Sequence, residues 1–270
     1  MEPLFKITVE DCYSHPQCTI YRAARRDYAE ELSLYDDIEK YTLPSEKEYG
    51  EWIVRKLLPS AHYGPLEQSS FTVEVSGFPH STIVQARTHR TGITFDVTSQ
   101  RYTGKRILNL VEWGKTLGTP EEIYARYLSD HPGESVVEFV KALNKVFYTR
   151  PIGHYVDRKG VKYEQTVERQ LHKLILSIYP TAINYHTAIT EWGQSEEDAR
   201  GILAQDIRQS FYTTLNIRTL MHILDMRYKA DAQLEIQQMC ELLMQFFRKY
   251  CPEIAAWYEK KRMNKNKLAP

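Results

Sequence analysis

The chain has 270 residues, 42% of them hydrophobic, and its 35 Lys and Arg residues balance 35 Asp and Glu residues, so the formal net charge is zero. A balanced charge argues against a nucleic-acid coat protein, an acidic tail protein and a polybasic membrane binder, which need an excess of one sign. No apolar run approaches the ~18 residues of a membrane span, and the N-terminus lacks a signal-peptide pattern, so we expect a cytoplasmic globular protein without membrane or nucleic-acid partners.

The first half of the chain is predicted to mix helices and strands. Residues 44–58 are expected to form a helix, because apolar residues share one face and Ser45 is a suitable N-cap. Residues 69–76 and 81–89 alternate in the manner of strands, and the Gly-Phe-Pro sequence at 77–79 is expected to form the turn between them.

The second half is predicted to be mainly helical. Helices are expected over 120–127 and 134–147, and a β-hairpin over 153–166, where a polar turn separates two short alternating segments. After the hairpin, the strongest helical patterns cover 216–227 and 231–250. Strands early and helices late indicate an α+β fold rather than an alternating parallel sheet.

The domain organisation is predicted to be simple. No internal repeat or low-complexity linker divides the chain, so residues 1–270 are expected to form one domain. Within it, 151–166 is interpreted as a hairpin insertion, and the Lys- and Asn-rich tail at 260–270 is expected to be frayed.

Several motifs with well-understood chemistry are absent from the sequence. It contains no G-x-G-x-x-G, no Walker loop, no G-x-S-x-G nucleophile elbow and no H-E-x-x-H. Cys12, His15 and Cys18 form a C-x-x-H-x-x-C stretch, but no further ligand follows at a familiar zinc spacing, so no metal is expected. If the protein binds phosphates, arginines and hydroxyl groups must hold them.

The densest polar stretch lies at 85–102, directly after the apolar residues 82–84. If the preceding strand continues, Gln85, Arg87 and His89 project from one face. Guanidinium groups bind phosphate oxygens bidentately, and hydroxyl groups complete the acceptor shell, so this stretch is interpreted as an anion pocket. The alternative is an exposed charged edge strand followed by a solvated loop.

A second polar cluster lies in the C-terminal half. Asn216 and Arg227 are eleven residues apart, close to three helical turns, and therefore share a stripe on one predicted helix. Arg218 and His222 are i, i+4 neighbours on another face of it. Arg200 precedes this helix. Charges on a helix surface, with His222 simply packed in the core, explain the same pattern equally well.

Taken together, these residues resemble the flavin-dependent thymidylate synthases. The family signature is R-H-R-x-x-S-x-N-x-x-S-x-R, and residues 88–102, with Thr88-His89-Arg90 leading to Ser99-x-Arg101, look like a divergent copy. The segments at 64–68, 199–203 and 216–236 resemble other parts of the family in the same order and spacing. The resemblance spans roughly residues 46–252.

The sequence departs from the signature at identifiable positions. Thr88 stands in place of the first arginine of the triplet, although Arg87 precedes it, and one extra residue separates Arg90 from the next motif position. Thr94 and Asp96 replace the serine and asparagine. Gln68 stands where the family commonly has a flavin-contacting histidine.

The resemblance implies a fold, an activity and a set of ligands. The fold would be an antiparallel sheet packed among helices, assembled as a homotetramer with sites formed between subunits. The activity would be reductive methylation of dUMP to dTMP, with methylenetetrahydrofolate as carbon donor and FAD, reduced by NADPH, as hydride source. No cysteine falls in a motif, which fits a flavin mechanism without an enzyme thiol adduct.

The resemblance also implies the site residues. Arg227 would be catalytic, as a guanidinium beside the uracil ring. The residues that match dUMP-binding positions are Gln85, Arg87, Thr88, Ser99, Gln100, Arg101, Arg200 and Arg227. Those that match FAD-binding positions are Ser70, Thr88, His89, Arg90, Asn216, Arg218 and His222. Ser99 has no basic partner in its motif, so it is interpreted as a binding group and not a nucleophile.

Two other interpretations remain open at this stage. The same scaffold would serve a flavin enzyme acting on another pyrimidine nucleotide or one-carbon donor, since the altered triplet changes the pocket. Alternatively, Thr88 and Gln68 would mark a nucleotide-binding protein that has lost its flavin.

Overall fold

The structure is a computed structural model that describes residues 4–157 and 159–265. Its strands are β1 (Lys6–Cys12), β2 (Ser70–Pro79), β3 (Ile93–Val97), β4 (Gly153–Val156), β5 (Lys162–Gln165) and β6 (Arg208–Asn216). Its α-helices are α1 (Pro16–Arg26), α2 (Glu46–Trp52), α3 (His80–Ala86), α4 (Gln100–Thr103), α5 (Lys105–Lys115), α6 (Pro120–Leu128), α7 (Glu134–Val146), α8 (Val167–Leu171), α9 (Tyr179–Thr190), α10 (Glu196–Ala199), α11 (Ile217–Arg227), α12 (Leu234–Tyr250) and α13 (Pro252–Lys261).

The strands form two sheets. One has four strands in the order β1-β2-β6-β3, and the other is the hairpin of β4 and β5. The predicted α+β class, with an antiparallel sheet among helices, is confirmed. In β2, Phe71, Val73 and Val75 are buried while the residues between them are half-buried, so the alternation that predicted this strand reflects one face turned to the core.

The chain divides into two compact units, and the first comprises residues 4–5, 76–84 and 97–211. Its core is an apolar cluster contributed mainly by α5, α7 and α9, which includes Val111, Phe139 and Tyr185. The hairpin also belongs to this unit. Its strands pair antiparallel, with Gly153 opposite Gln165 and Val156 opposite Lys162, as predicted.

The second unit comprises residues 6–75, 85–96 and 212–265 and includes most of the four-stranded sheet. Helices α11, α12 and α13 pack in sequence, and α13 also packs on α2. A buried Asp225 at the end of α11 accepts hydrogen bonds from the Tyr258 hydroxyl (2.9 Å) and from Nη2 of Arg262 (2.6 Å). The expectation of one domain with a hairpin insertion stays a prediction.

Several predicted elements are confirmed with small shifts of their ends. The helices at 120–127 and 134–147 correspond to α6 and α7, and the one at 231–250 to α12. The predicted helix at 44–58 begins at Glu46, where Ser45 accepts a hydrogen bond from the Glu48 N–H, and it continues beyond α2 as a single π-helical turn at Ile53–Leu57.

The prediction of a strand at 81–89 is wrong, because these residues contain helix α3 followed by a turn. Thr82, Ile83 and Ala86 are buried whereas Val84 is 48% exposed, a helical spacing of buried positions. The β-branched residues at 82–84 favoured a strand, but β-propensity is a weak guide where packing decides. Gln85, Arg87 and His89 therefore do not lie on one strand face.

Other differences concern strands. Residues 77–79, predicted to be a turn, continue β2, with Gly77 in the left-handed region at φ +81°. Strands β1, β3 and β6 were not predicted. Asn216, predicted to lie on a helix, is the last residue of β6 and the N-cap of α11.

The C-terminal tail is ordered further than predicted. Helix α13 extends through Lys260 to Lys261, and Arg262 is held by Asp225, so fraying does not begin at 260. Residues 266–270 of the predicted tail lie outside the described residues. No helix in the described ranges is both long and apolar enough to cross a bilayer.

Candidate active site

The candidate active site is a cavity of about 430 Å³ in the second unit, where β6 ends and α11 begins. One wall is the loop at 87–92, between α3 and β3, which carries the start of the signature motif and is called the signature loop below. The first turns of α11 supply the other wall. The cavity is lined by Glu67, Thr88, His89, Arg90, Thr91, Asn216, Arg218, Thr219 and His222.

Asn216 ties the signature loop to the start of α11. Its side-chain oxygen accepts a hydrogen bond from the Thr219 N–H (2.8 Å), which caps the helix, and its own N–H donates to the Gly92 carbonyl (3.2 Å). The Thr219 hydroxyl donates to the Thr91 carbonyl (2.8 Å). Gly92 has φ +68°, and a Cβ there would lie 2.3 Å from the Thr219 hydroxyl oxygen. This position therefore requires glycine.

Arg227, at the end of α11, is hydrogen-bonded to two residues of the signature loop. Its Nε donates to Nε2 of His89 (3.1 Å), and its Nη2 donates to the Thr88 hydroxyl oxygen (3.0 Å). The predicted catalytic arginine thus lies beside the predicted flavin-binding residues Thr88 and His89.

The environment of His89 keeps its ring neutral. His89 is 7% exposed, and its ring packs edge-on against that of His222 with ring centroids 5.2 Å apart. Burial, reinforced by the charge of Arg227 and by His222, lowers the pKa of His89 to about 4. A neutral ring is also what the geometry needs, because Nε2 accepts the hydrogen bond from Arg227.

The low pKa of His89 predicts a pH-dependent stability. Because the unfolded chain has an ordinary histidine pKa of 6.5 there and the folded chain about 4, the unfolded state binds the extra proton between these values. The contribution of neutral His89 is therefore complete above pH 6.5 and is lost as the pH falls towards 4, by on the order of 2–3 kcal/mol.

Urea unfolding of the wild type and of His89→Gln from pH 4 to 7.5 measures this contribution. Subtracting the free energy of unfolding of His89→Gln from that of the wild type cancels the contributions of the other histidines. The difference should therefore rise between pH 4 and pH 6.5 and level off above it. A difference that does not change with pH would contradict the prediction.

An ion pair also lines the cavity. Nη1 of Arg218 donates to Oε1 of Glu67 at 2.6 Å, and both side chains are about 40% exposed. Neither Glu67 nor the two threonines at 91 and 219 was singled out from the sequence. Thr219 had a detectable signal, since it follows the cap Asn216 by the three residues that a capping hydrogen bond requires.

The predicted flavin-binding residues gather at this cavity except for one. Ser70 lines a separate cavity of about 270 Å³, together with Cys12, Thr72 and Thr214. Among the predicted nucleotide-binding residues of this unit, Thr88 and Arg227 are in contact, Gln85 is hydrogen-bonded to Gln233, and Arg87 is exposed.

The remaining predicted nucleotide-binding residues belong to the first unit. Ser99 is the N-cap residue of α4, and Gln100 and Arg101 follow it in that helix. Arg101 and Arg200 lie beside the same carboxylate: Glu197 is 3.6 Å from Nη1 of Arg101 and 4.0 Å from Nη2 of Arg200. Two exposed guanidinium groups that share one carboxylate form an arrangement able to accept a phosphate.

The side chains in and beside the cavity can bind an anionic ligand and polarise it. Arg90 and Arg218, with the hydroxyl and amide groups, suit an anionic ligand, and the Arg227 guanidinium is held beside two of the lining residues, Thr88 and His89. All four cysteines are free thiols, and Cys18, Cys240 and Cys251 are buried. The part of the chain that the structure describes holds no group of three potential metal ligands from His, Cys, Asp and Glu.

Both the sequence and the fold are similar to those of known proteins. Residues 8–253 match the sequence profile of the thymidylate synthase complementing protein family. The flavin-dependent thymidylate synthase of Haloarcula marismortui is 29% identical over 260 residues, 94% of this chain and 96% of that protein. The one from Halobacterium salinarum is 26% identical over 98% of this chain and 100% of its own length.

Two solved structures share the fold. A UMP/dUMP methylase from Streptomyces cacaoi, bound with 5-Br dUMP, has a TM-score of 0.64 and 19% identity, covering 98% of this chain and 97% of its own. A flavin-dependent thymidylate synthase from Helicobacter pylori, complexed with FAD and dUMP, has a TM-score of 0.61 and 16% identity, covering 91% and 97%.

Proposed function

The chain belongs to the thymidylate synthase complementing protein family, and on that premise we propose that it is a flavin-dependent thymidylate synthase, which converts dUMP to dTMP. Methylenetetrahydrofolate is the carbon donor and NADPH the reductant. The full-length relatives that carry this name support the proposal. The observation that carries it is the cavity at the start of α11, which gathers six of the residues that match the family's flavin positions, two of which, Thr88 and His89, are hydrogen-bonded to Arg227.

The residues of this cavity fit FAD. Its pyrophosphate needs cationic and neutral hydrogen-bond donors, which Arg90, Arg218 and the Asn216 amide offer. Thr88, His89 and His222 complete the set, and we extend it to Ser70 from the resemblance. When bound and reduced, FAD would supply the hydride.

Arg227 is proposed to activate the uracil ring. Carbon C5 of uracil is a poor nucleophile until the ring gains negative charge. A guanidinium held beside the ring stabilises that charge as it develops, and it does so most strongly in a site from which water is excluded. His89 and Thr88 hold the Nε and Nη2 edge of Arg227, which leaves Nη1 for the ring.

The phosphate of dUMP is proposed to bind to Arg101 and Arg200. The two residues already share the carboxylate of Glu197, so they are close enough to act on one anion. Gln85, Arg87, Thr88, Ser99 and Gln100 are proposed to complete nucleotide binding, on the strength of their match to the family's positions.

The assembly and location are part of the same proposal. We propose a homotetramer with sites formed between subunits, as the family resemblance implies, acting in the cytoplasm, where free thiols such as these four persist. Sedimentation analysis of the purified protein measures its oligomeric state. A monomer with full activity would contradict it.

A visible spectrum and a product assay test the function. The purified protein, reconstituted with FAD, should show the absorption of bound oxidised flavin and should form dTMP from dUMP with methylenetetrahydrofolate and NADPH. A protein that cannot be reconstituted with FAD would support the flavin-free alternative, which Thr88 and Gln68 motivate.

A second candidate substrate class deserves the same assay because Thr88 changes the signature triplet. The fold is shared with a UMP/dUMP methylase as well as with thymidylate synthases. Product analysis with dUMP, UMP and dCMP in parallel distinguishes these substrates, and methylation of UMP or dCMP in preference to dUMP would replace the proposed one.

The cysteines are predicted to be dispensable for turnover. Burial raises the pKa of the Cys240 thiol to about 12, and that of Cys251 well above its ordinary value, so neither is a thiolate at neutral pH. We expect a folded variant with alanine at Cys12, Cys18, Cys240 and Cys251 to keep kcat within about threefold of the wild type, since no thiol adduct forms. A folded variant with bound flavin and no turnover would contradict a flavin mechanism without an enzyme nucleophile.

A further inference from the structure

We propose that Thr88 and His89 act as positioning residues for Arg227: together they accept both hydrogen bonds of its Nε and Nη2 edge and so fix the direction in which the rest of the guanidinium points. The inference rests on the proposed function for its kinetic consequence, whereas the hydrogen bonds themselves are features of this chain. Both residues are expected from the family resemblance to contact flavin, and the role proposed here is additional.

The hydroxyl group of Thr88 can act towards Arg227 only as an acceptor. Its hydrogen is donated to the Gln85 carbonyl at 2.7 Å, so its oxygen faces Arg227 as an acceptor, 3.0 Å from Nη2. This hydroxyl is specific to the divergent signature. An arginine at this position, as in the family pattern, would place a second cation beside Arg227 and offer it no acceptor.

The ring of His89 is committed in a similar way. Because Nε2 accepts from Arg227 at 3.1 Å, the ring proton must be on Nδ1. The groups whose charge acts on the ring are Arg227 and His222 on α11, and both disfavour its protonation, as burial does. His89 therefore remains an acceptor throughout the neutral pH range.

The two acceptors hold one edge of a planar group. With Nε and one N–H of Nη2 engaged, the guanidinium can no longer rotate about its last side-chain bond without losing both hydrogen bonds. Nη1 then keeps a fixed direction before substrate arrives. Fixing a polarising group in advance removes reorganisation from the chemical step, so the consequence belongs in kcat rather than in substrate binding.

Single and double variants test this arrangement. Thr88→Val removes the acceptor with little change in volume, His89→Leu removes the ring acceptor, and His89→Gln restores an acceptor near the position of Nε2. The matched control is Thr116→Val, because the Thr116 hydroxyl also donates to a carbonyl three residues back, that of Trp113 at 2.7 Å, at the end of α5.

We expect Thr88→Val and His89→Leu each to lower kcat about tenfold, with the KM for dUMP within about threefold, as for the loss of one hydrogen bond to a charged group. His89→Gln should recover most of the loss, and Thr116→Val should match the wild type. In an Arg227→Ala background, Thr88→Val should have no further effect on kcat, because it acts through Arg227.

A spectroscopic measurement keeps the test independent of turnover. In protein labelled with ¹⁵N-arginine, the Nε–H resonance of Arg227, assigned by its absence from Arg227→Ala, should be protected from solvent exchange in the wild type and exposed in His89→Leu. If solvent exchange of this resonance is the same in His89→Leu as in the wild type, the proposal is overturned, whether or not the variant retains its flavin. An inactive wild type with the protected resonance would instead overturn the proposed function alone.

Discussion

Arg227→Ala is expected to lower kcat by about a hundredfold or more, with the KM for dUMP changed by only a few fold. Removing one preorganised donor at a site of developing negative charge costs about 10²–10³ in kcat. Two N–H groups of Arg227 are held by Thr88 and His89, which are among the proposed flavin-binding residues, and this placement is consistent with the proposed catalytic role. Steady-state kinetics with dUMP varied, at saturating folate and NADPH, measure the effect.

A lysine at the same position provides the matched comparison. Arg227→Lys keeps the positive charge but cannot donate to Thr88 and His89 at once while also presenting a planar edge to the ring, so kcat should recover by no more than about tenfold. Flavin content is measured by absorbance for each variant. If Arg227→Ala keeps a near-normal kcat and only KM rises, Arg227 is a binding residue and its catalytic assignment is wrong.

The sequence predicted the helical parts of the fold better than the sheet. Helices α7 and α12 carry long apolar stripes, and such stripes are the most reliable local signal. Strand β6 follows a series of helices and runs directly into helix α11, so the aromatic and threonine residues at 211–214 were not distinguished from the helical region around them. Its neighbours in the sheet are distant in sequence, and no local pattern encodes that pairing.

Segment 80–89 shows why local propensity failed. Its β-branched residues favour a strand, yet the burial of Thr82, Ile83 and Ala86 follows a helical period that was already present in the sequence. The one-face arrangement expected for Gln85, Arg87 and His89 depended on the strand and was lost with it. His89 instead reaches Arg227 because the chain turns after the helix.

The sequence motifs did indicate which polar residues lie together, because their spacing is encoded directly in the motifs, whereas the roles of these residues stay predictions. Arg90, Asn216, Arg218 and His222 do line one cavity. Their contacts were beyond prediction: the hydrogen bonds of Arg227 join residues separated by more than 130 positions. The ion pair of Arg218 with Glu67 is equally distant in sequence, and Glu67 carried no signal of its own.

Arg101→Ala is expected to raise the KM for dUMP ten- to hundredfold while kcat at saturation stays within a few fold. A phosphate contact is made equally in the ground and transition states, so its loss removes uniform binding. A charge-assisted hydrogen bond contributes about 1.5–3 kcal/mol, which corresponds to that range of affinity. Arg101→Lys should recover only part of the loss, because an ammonium group cannot reproduce bidentate geometry.

Glu197→Gln should have the opposite effect. The carboxylate of Glu197 lies 3.6 Å from Arg101 and 4.0 Å from Arg200, so it competes with an incoming phosphate for the same two cations. All three side chains are at least 40% exposed, and exposed ion pairs contribute at most about 1 kcal/mol, so removing this charge should lower KM by no more than about fivefold. The variant keeps the size of the side chain and a hydrogen-bonding amide.

Isothermal titration of the flavin-bound protein with dUMP, at two ionic strengths, measures the dUMP affinities of Arg101→Ala and Glu197→Gln directly. If dUMP binds Arg101→Ala as tightly as the wild type, the phosphate lies elsewhere, and an unchanged affinity in Glu197→Gln would show that this carboxylate does not share the site.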